Sequence, residues 1–440
     1  MSEEECRWPE GRLGNNLNWH FKFQFLRYFY SIDKSFPFCW CPLSNRTLYI
    51  LGTRGIPAAH GGFETFAEHF AKFMVSEGWQ VIVYCQGEGG VRGGKSIQDE
   101  WNGVTRIRFE TRAKGPLATI EFDLRCVLHS LRTPGAILVL GYNTAIFNLV
   151  YLLFRRSVAM NMDGIEWKRA KWGKLAKAWF WLNEWLGART CTIPIADHPE
   201  IAAHLARRGC KRAVVIPYGA EPIASATEVP LFSLGLVSRE YFMTIARIER
   251  ENSILEIVSA FAEARTTHKL AVIGKFEPLT NQYHAAIKEA AGENVVFLGP
   301  IYDKSILQSL RFHSIAYIHG HQVGGTNPSL VEALAAGNAV IAHDNAFNRW
   351  TAGESQHYFT NVEECAGAIS ALSTISQTEL LKLQQLSREL HSARYTFRDV
   401  HAAYAELIES IVFGNDKDQK SGVRRPHLDG EASGLSNVSS

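Results

Sequence analysis

The stretch from His319 to Asn345, HGHQVGGTNPSLVEALAAGNAVIAHDN, reads as a polar glycine loop, a short helix carrying one acid, and a buried strand. Such a loop can aim the backbone N–H groups of Gly325, Thr326 and Asn327, and the helix N-terminus behind them, at phosphate oxygens. Pro328 stands at the expected first helical position, which supports that boundary. Glu332, about one turn further on, can accept hydrogen bonds from sugar hydroxyls. Together they have the layout of a nucleoside-diphosphate site.

Three other segments carry groups of matching chemistry. GTRGIPAAHGGFETFAEHFAKF, Gly52 to Phe73, sets Gly61 and Gly62 at the mouth of an amphipathic helix, with Arg54 and His60 nearby. The glycine pair allows close approach of a ligand, against the plainer reading of a tight turn. Neither a GxGxxG fingerprint nor a P-loop lysine is present, which argues against a dinucleotide or NTPase site. NMDGIEWKRAKW, from Asn161, puts Asp163 after an expected strand, where its carboxylate can bind a sugar hydroxyl or orient an acceptor. Asp163-Gly164 is equally an ordinary turn pair. ARIERENS, from Ala246, offers Arg247, whose guanidinium suits paired phosphate oxygens. Arg250 reads as a surface residue.

These groups need elements to hold them. From Arg46 onward, apolar runs alternate with amphipathic stretches, the mark of βαβ units and parallel sheets. Strands are expected at 47–52, 80–85, 136–140, 157–161, 190–195 and 213–216, then, past a proline-rich linker at 216–230, at 241–246, 269–273, 295–298, 315–318 and 339–343. Helices fall near 252–265, 280–291, 303–311 and 328–336, and helices at 361–372, 376–391 and 396–412 close the fold. The fold class is α/β: two doubly wound Rossmann-like domains, 46–220 and 221–412, facing a central cleft, where such sheets bind ligands. Residues 1–45 precede them and fit no periodic element; their aromatic stretch from Phe21 to Tyr30, with Lys22 and Arg27 interleaved, reads either as a short interfacial helix or as an arm folded on the first domain. The Ser-, Gly-, Asp- and Lys-rich tail, 413–440, reads as disordered.

Composition removes several function classes. The 440 residues carry 46 Lys plus Arg against 44 Asp plus Glu, a formal charge of +2 that excludes a dedicated nucleic-acid binder. The eight cysteines follow neither a disulfide framework nor zinc spacing, so they read as reduced thiols. No apolar run reaches the ~20 residues that span a bilayer, and the acidic start is unlike a signal peptide. A cytoplasmic protein is expected.

One surface has its own character. Between Arg155 and Arg189 stand Arg155, Arg156, Lys168, Arg169, Lys171, Lys174, Lys177 and Arg189 against Asp163, Glu166 and Glu184, with Trp167, Trp172, Trp179, Trp181 and Trp185 interleaved. On one helix Lys174, Lys177, Trp181 and Trp185 share a face, as for contact between 167–185 and anionic headgroups. The alternative is a core of tryptophans under solvated lysines.

Taken together, GTRGIP…HGGFETF, NMDGIEWKRAKWG, IPYGAE and HGHQVGGTNPSLVEALAAGNAVIAHD resemble the bacterial rhamnosyltransferase-like branch of glycosyltransferase family four, over about residues 46–412. The resemblance implies a GT-B architecture, a nucleotide-sugar donor held by the second domain, and transfer with retention, with neither metal nor cofactor. It assigns Glu332 to the ribose, while the family's preceding acid, eight positions earlier, falls on Gly324. It assigns Arg247 to the donor diphosphate, while Asn252 stands in place of the family's lysine. Asp163 takes the position of a family histidine.

The function expected is transfer of a sugar, with L-rhamnose a candidate, from a dTDP- or UDP-linked donor to a glycan or lipid-linked acceptor at the inner membrane face, in polysaccharide biosynthesis. Arg247 and Asp163 are the expected catalytic pair, with Gly61, Gly62, Gly325, Thr326, Asn327 and Glu332 on the donor. The competing readings are a catalytically degenerate nucleotide-sugar-binding subunit and a nucleotide-sugar epimerase.

Overall fold

The computed structural model describes residues 46–58, 61–87, 96–162, 164–169 and 172–413. Chain order begins with β1 (Thr47–Leu51), α1 (Gly62–Ser76), β2 (Gln80–Gly87), β3 (Ser96–Trp101), β4 (Val104–Glu110), α2 (Pro116–Ser130) and β5 (Ala136–Leu140). It continues through α3 (Asn148–Leu153), β6 (Val158–Asn161), α4 (Lys174–Thr190), β7 (Ile193–Ala196), α5 (Pro199–Arg207) and β8 (Val214–Val215). These strands form an eight-stranded sheet in the order β3-β4-β2-β1-β5-β6-β7-β8. All of its pairings are parallel except β3 with β4.

After α6 (Val229–Ser233) come β9 (Tyr241–Ile245), α7 (Ile254–Glu263), β10 (Lys269–Ile273), α8 (Gln282–Ala290), β11 (Val295–Gly299) and α9 (Lys304–His313). Then follow β12 (Ala316–His319), α10 (Pro328–Ala335), β13 (Ala339–His343), α11 (Ala346–Ala352) and β14 (His357–Phe359). The chain closes with α12 (Val362–Ser373), α13 (Gln377–Arg394) and α14 (Phe397–Phe413). The second sheet has the parallel order β11-β10-β9-β12-β13-β14. The α/β class, the two doubly wound sheets and the closing helices are as the alternation of apolar runs predicts.

The central strands are mostly apolar because helices cover both faces of a parallel sheet. β1 and β12 are buried at every residue. Each sheet reverses strand order once, at β1/β5 and at β9/β12, and crevices open there beyond the carboxyl ends of the strands. The segments after β1, β9 and β12, which carry Gly61, Arg247 and Gly325, therefore leave their sheets at these two switch points.

Several elements differ from the apolar-run pattern, among them the short helix α11, which lies outside the expected helices. The β3–β4 hairpin is missing from it because β3 is largely exposed and contributes little apolar surface. Its turn, Asn102-Gly103, has both residues at positive φ, 49° and 77°, a signal the sequence did carry. β14 is a three-residue edge strand, too short to show a period. The strand expected at 190–195 begins at Ile193, because α4 runs on to Thr190.

The closing helix takes an unexpected side. Val400, Tyr404, Leu407 and Ile408 of α14 pack with Phe66, Phe70 and the strands of the first sheet, although the sequence groups 396–412 with the second. Each such buried side chain contributes about 1.5–3 kcal/mol. The chain thus crosses between domains twice, and the crossings are tied together. Ala220 donates its N–H to Tyr395 O at 2.8 Å, and the His391 ring donates to Ala220 O at 2.9 Å.

Residues 1–45 and 414–440, the expected arm and nearly all of the expected tail, lie outside the described residues. Among those described, no helix is long and apolar enough to cross a membrane.

Candidate active site

Between the two sheets runs a groove of two connected lobes. The inner lobe, about 250 Å³, has Arg247 and Asn252 from the segment after β9, and His321 and Gly324–Asn327 from the segment after β12. Gly62, Asn161, Arg169, Asp197 and Tyr404 form the facing wall. The outer lobe, about 450 Å³, holds Glu332 and Arg311 with Gly61, Gly62, Tyr302, Lys304 and Tyr218. Gly62, Tyr218 and Pro328 belong to both lobes.

All the expected donor residues and Arg247 therefore meet on one groove, though they come from segments up to 271 positions apart in sequence, from Gly61 to Glu332. Asp163 and His60 lie outside the described residues.

Arg247 is exposed to the groove, and its backbone is fixed from behind. Its carbonyl accepts from Asn252 Nδ2 at 2.7 Å and from the Glu249 N–H at 2.8 Å. Asn252, where the sequence resemblance expects a lysine, is buried and spends its side chain on this turn. It carries no charge toward a ligand.

Glu332 is one-third exposed, and its carboxylate pairs with Arg311 of α9, which is almost fully buried. The pair sits against Tyr218, whose phenol pKa is pushed far up by burial and by the nearby carboxylate. Arg311 thus orients Glu332 into the outer lobe. Sequence reasoning passed over it, since an arginine inside an amphipathic helix looks like an exposed one.

The glycines act through the space they leave. A Cβ on Gly62 would stand 3.2 Å from Pro328 Cγ, so the two domains touch where α1 faces α10. A Cβ on Gly325 would fall 2.0 Å from the Asp197 carboxylate. Asp197 follows β7, reaches across the cleft, and accepts the Thr326 N–H at 2.9 Å, while its carbonyl accepts from the Thr326 hydroxyl. Asn327 caps α10 through Ser329 N–H at 3.0 Å. The expected phosphate loop is therefore preformed, with one N–H held by a carboxylate of the other domain.

His321 completes the inner lobe. Its ring stacks on that of His319 with centroids 4.3 Å apart and planes 8° apart. Its backbone carbonyl accepts from Asn345 Nδ2 at 3.0 Å and Asn348 Nδ2 at 2.9 Å. Burial, then the charges of Arg247 and Arg169, push its pKa down to about 3. The imidazole is neutral at any physiological pH. Gly324 leaves its own position without a side chain, and His321 lines the same lobe from the same loop.

A second cavity, about 830 Å³, opens in the first domain. Arg54, Gln86, Asn143 and Glu166 supply its polar wall and Trp172, Trp179 and Phe180 its aromatic one. Trp179 donates to Asn143 O at 2.8 Å and Trp172 to Glu166 Oε2 at 3.0 Å, which fixes both rings. Beneath, buried Asp123 accepts from Thr144 at 2.7 Å, and burial raises its pKa to about 6.

The basic aromatic stretch therefore divides. Trp172 and Trp179 line this cavity, and Trp167 donates to buried Glu184 at 2.9 Å. Trp181, Trp185, Leu175 and Leu182 face outward on α4. Arg156 is spent on the backbone carbonyls of Thr133 and Gly135, and Arg169 turns into the inner lobe of the groove. Among the described residues, no three His, Cys, Asp or Glu side chains gather as a metal site would require.

Comparison with known proteins places the architecture. A family model described as a domain of unknown function, DUF1972, matches residues 45–221, and no curated protein matches the chain. Sucrose-phosphate synthase from Thermosynechococcus elongatus superposes with a TM-score of 0.67 at 17% identity, over 83% of this chain and 99% of that one. The α,α-trehalose 6-phosphate synthase of Burkholderia multivorans gives 0.64 at 13%, over 86% and 99%. HepE of Anabaena, solved in complex with UDP, gives 0.64 at 15%, over 83% and 100%. At these identities the likeness establishes the fold, which is GT-B.

Proposed function

We propose that this protein is a glycosyltransferase that takes a sugar from a nucleoside-diphosphate donor. The observation that carries the reading is the order of groups along the groove, Arg247 and the glycine loop in one lobe and the Arg311-held Glu332 in the next. That order matches a ligand with a diphosphate followed by a ribose. Sucrose-phosphate and trehalose-phosphate synthases, and a HepE that binds UDP and glucose, share the architecture, which supports the same substrate class.

In this reading Glu332 accepts from ribose hydroxyls, and Tyr302 and Ile301 flank the base in the outer lobe. Arg247, the amides of Gly325 and Asn327 on either side of the Asp197-held Thr326, and the start of α10 stabilise negative charge on the β-phosphate as it departs. The bond from the anomeric carbon to the phosphate oxygen breaks as the acceptor hydroxyl attacks the same face. The hydroxyl proton passes to the departing phosphate oxygen. Configuration is retained, and the step needs neither a protein base nor a metal. Asp163 orients the acceptor rather than attacking.

The aromatic cavity of the first domain takes the acceptor, a glycan or lipid-linked sugar, since tryptophan faces stack on sugar rings. L-rhamnose from dTDP remains the donor suggested by the family resemblance, with a UDP-sugar supported by the neighbours. The outward Trp181, Trp185, Leu175 and Leu182 beside Lys174 and Lys177 fit peripheral contact with a cytoplasmic membrane face.

Thermal stabilisation by a panel of nucleotide sugars and free diphosphates tests the reading. One donor should raise the melting temperature of the wild type, and Arg247→Ala and Glu332→Gln should both shrink that shift. If no nucleotide stabilises the wild type, the transferase reading fails. Binding without turnover on any acceptor would instead favour the degenerate subunit, whose support is Gly324 and Asn252 at the two missing family positions.

A further inference from the structure

The inner lobe has a charge problem that Arg247 alone does not solve. Its ionised side chains are Arg247 and Arg169 on one side of the balance, and Asp197 and Glu251 on the other. His321 is neutral there. Without Arg169 the fixed charge lining the lobe would be net negative, in a partly enclosed space where Coulomb repulsion of a diphosphate is poorly screened. The position where the resemblance expects a second cation is Asn252, which is buried and bonded to the Arg247 carbonyl.

Arg169 comes from the opposite domain, just past the 3₁₀ turn Glu166–Lys168. Its side chain is only 18% exposed, so it is not part of the solvated basic surface around it. Its Nε lies 3.1 Å from Glu166 Oε1, and its Nη1 lies 3.8 Å from Glu251 Oε1 of the second domain. The longer contact exceeds hydrogen-bond length, so that end of the guanidinium retains donors for another oxygen acceptor. Arg169 and Arg247 line the same lobe as His321, from opposite domains.

We propose that Arg169 is the second cation on the donor diphosphate, supplied across the cleft in place of the lysine that Asn252 replaces. The inference rests on the nucleotide-sugar reading of this groove. Phosphate oxygens take up the donors now directed at Glu251, so the diphosphate is held between Arg169 of the first domain and Arg247 of the second. A guanidinium suits the task because its planar fork meets two oxygens at once.

Calorimetry on the full chain with UDP, dTDP, GDP and ADP, and ligand-observed NMR with the four nucleosides, tests this. Arg169→Gln should weaken the diphosphate that binds the wild type by at least about tenfold, the worth of one charge-assisted contact. Binding of the matching nucleoside should stay unchanged, which also certifies the fold. Arg169→Lys should fall between the two. Glu251→Gln cuts the interdomain contact and removes a lobe carboxylate, so it should bind the diphosphate at least as tightly as the wild type.

Wild-type affinity in Arg169→Gln overturns the proposal and leaves the nucleotide-sugar reading standing. So does a Glu251→Gln protein as weak as Arg169→Gln, since Arg169 would then be an interdomain tie alone. Failure of all four diphosphates to bind the wild type overturns both.

Discussion

The interdomain groove and the first-domain cavity both sit beyond the carboxyl ends of doubly wound sheets, yet they are built from opposite materials. The groove is lined by charged groups already committed to partners: Glu332 to Arg311, Asp197 to the Thr326 amide, Arg169 to Glu166. The cavity is lined by rings whose polar edges are tied to backbone and side-chain oxygens, leaving broad apolar faces open. The difference teaches that topology supplies only the place. A groove of paired charges exchanges partners with an anion at little desolvation cost, whereas a cavity of fixed rings selects by shape and stacking.

The largest effect expected from breaking this contrast lies under the cavity. Asp123 holds its proton to about pH 6 in the fold, against 3.8 for the free side chain. The native state therefore binds more protons than the unfolded one between those values, and stability falls as pH rises through that window. The total is about 3 kcal/mol, fully present above pH 6. Asp123→Asn, which keeps a partner for Thr144, should be more stable than the wild type by about that amount at pH 7. The gap should close near pH 4 in denaturant titrations. The difference between the two proteins is the quantity to follow, because His198, His321 and His401 are pushed down to about 4, 3 and 4 by burial. Their protonation on unfolding makes both proteins lose stability as pH falls below the usual histidine range. A gap independent of pH would mean that Asp123 is ionised in the fold.

A smaller loss is expected on the groove side. Arg311→Met leaves Glu332 without its buried partner, and unfolding by urea should show about 2 kcal/mol less stability. The donor Kd should rise with it, because the carboxylate no longer has a fixed direction. Unchanged donor affinity would show that Arg311 holds the helix pair and not the site.

The smallest effect should separate the two regions cleanly. Trp179→Ala removes one stacking face and should raise the acceptor KM by about tenfold, in the range of a single aromatic contact. Nucleoside-diphosphate affinity should not move. A loss of donor binding in this variant would break the division between cavity and groove.

How much of this was legible in the sequence depends on distance along the chain. β5, β10 and β13 fall where their apolar runs predict, because a strand buried on both faces has a local signature. The helix after the glycine loop begins at Pro328, where the fixed φ of proline predicts it. The β3–β4 hairpin was equally local, through Asn102-Gly103, but its exposed strand hides it from a reading based on apolar runs. Arg169 and Arg311 were not legible at all. In sequence one belongs to a basic surface stretch and the other to an amphipathic helix, and only their partners Glu251 and Glu332 distinguish them from solvated arginines.

The sequence by itself determined the alternation of strands and helices, and hence two parallel sheets with loops at their carboxyl ends, because backbone hydrogen bonding and apolar periodicity act over a few residues. It also determined which loops could meet a phosphate, since glycines, a helix start and Arg247 are local features. Only the tertiary structure decided that α14 covers the first sheet, that Asp197 reaches the amide of Thr326, and that Arg169 shares a lobe with Arg247. Each of these joins residues more than 70 positions apart. Pairings at that range are chosen by the packing of whole surfaces, which no short stretch of chain encodes.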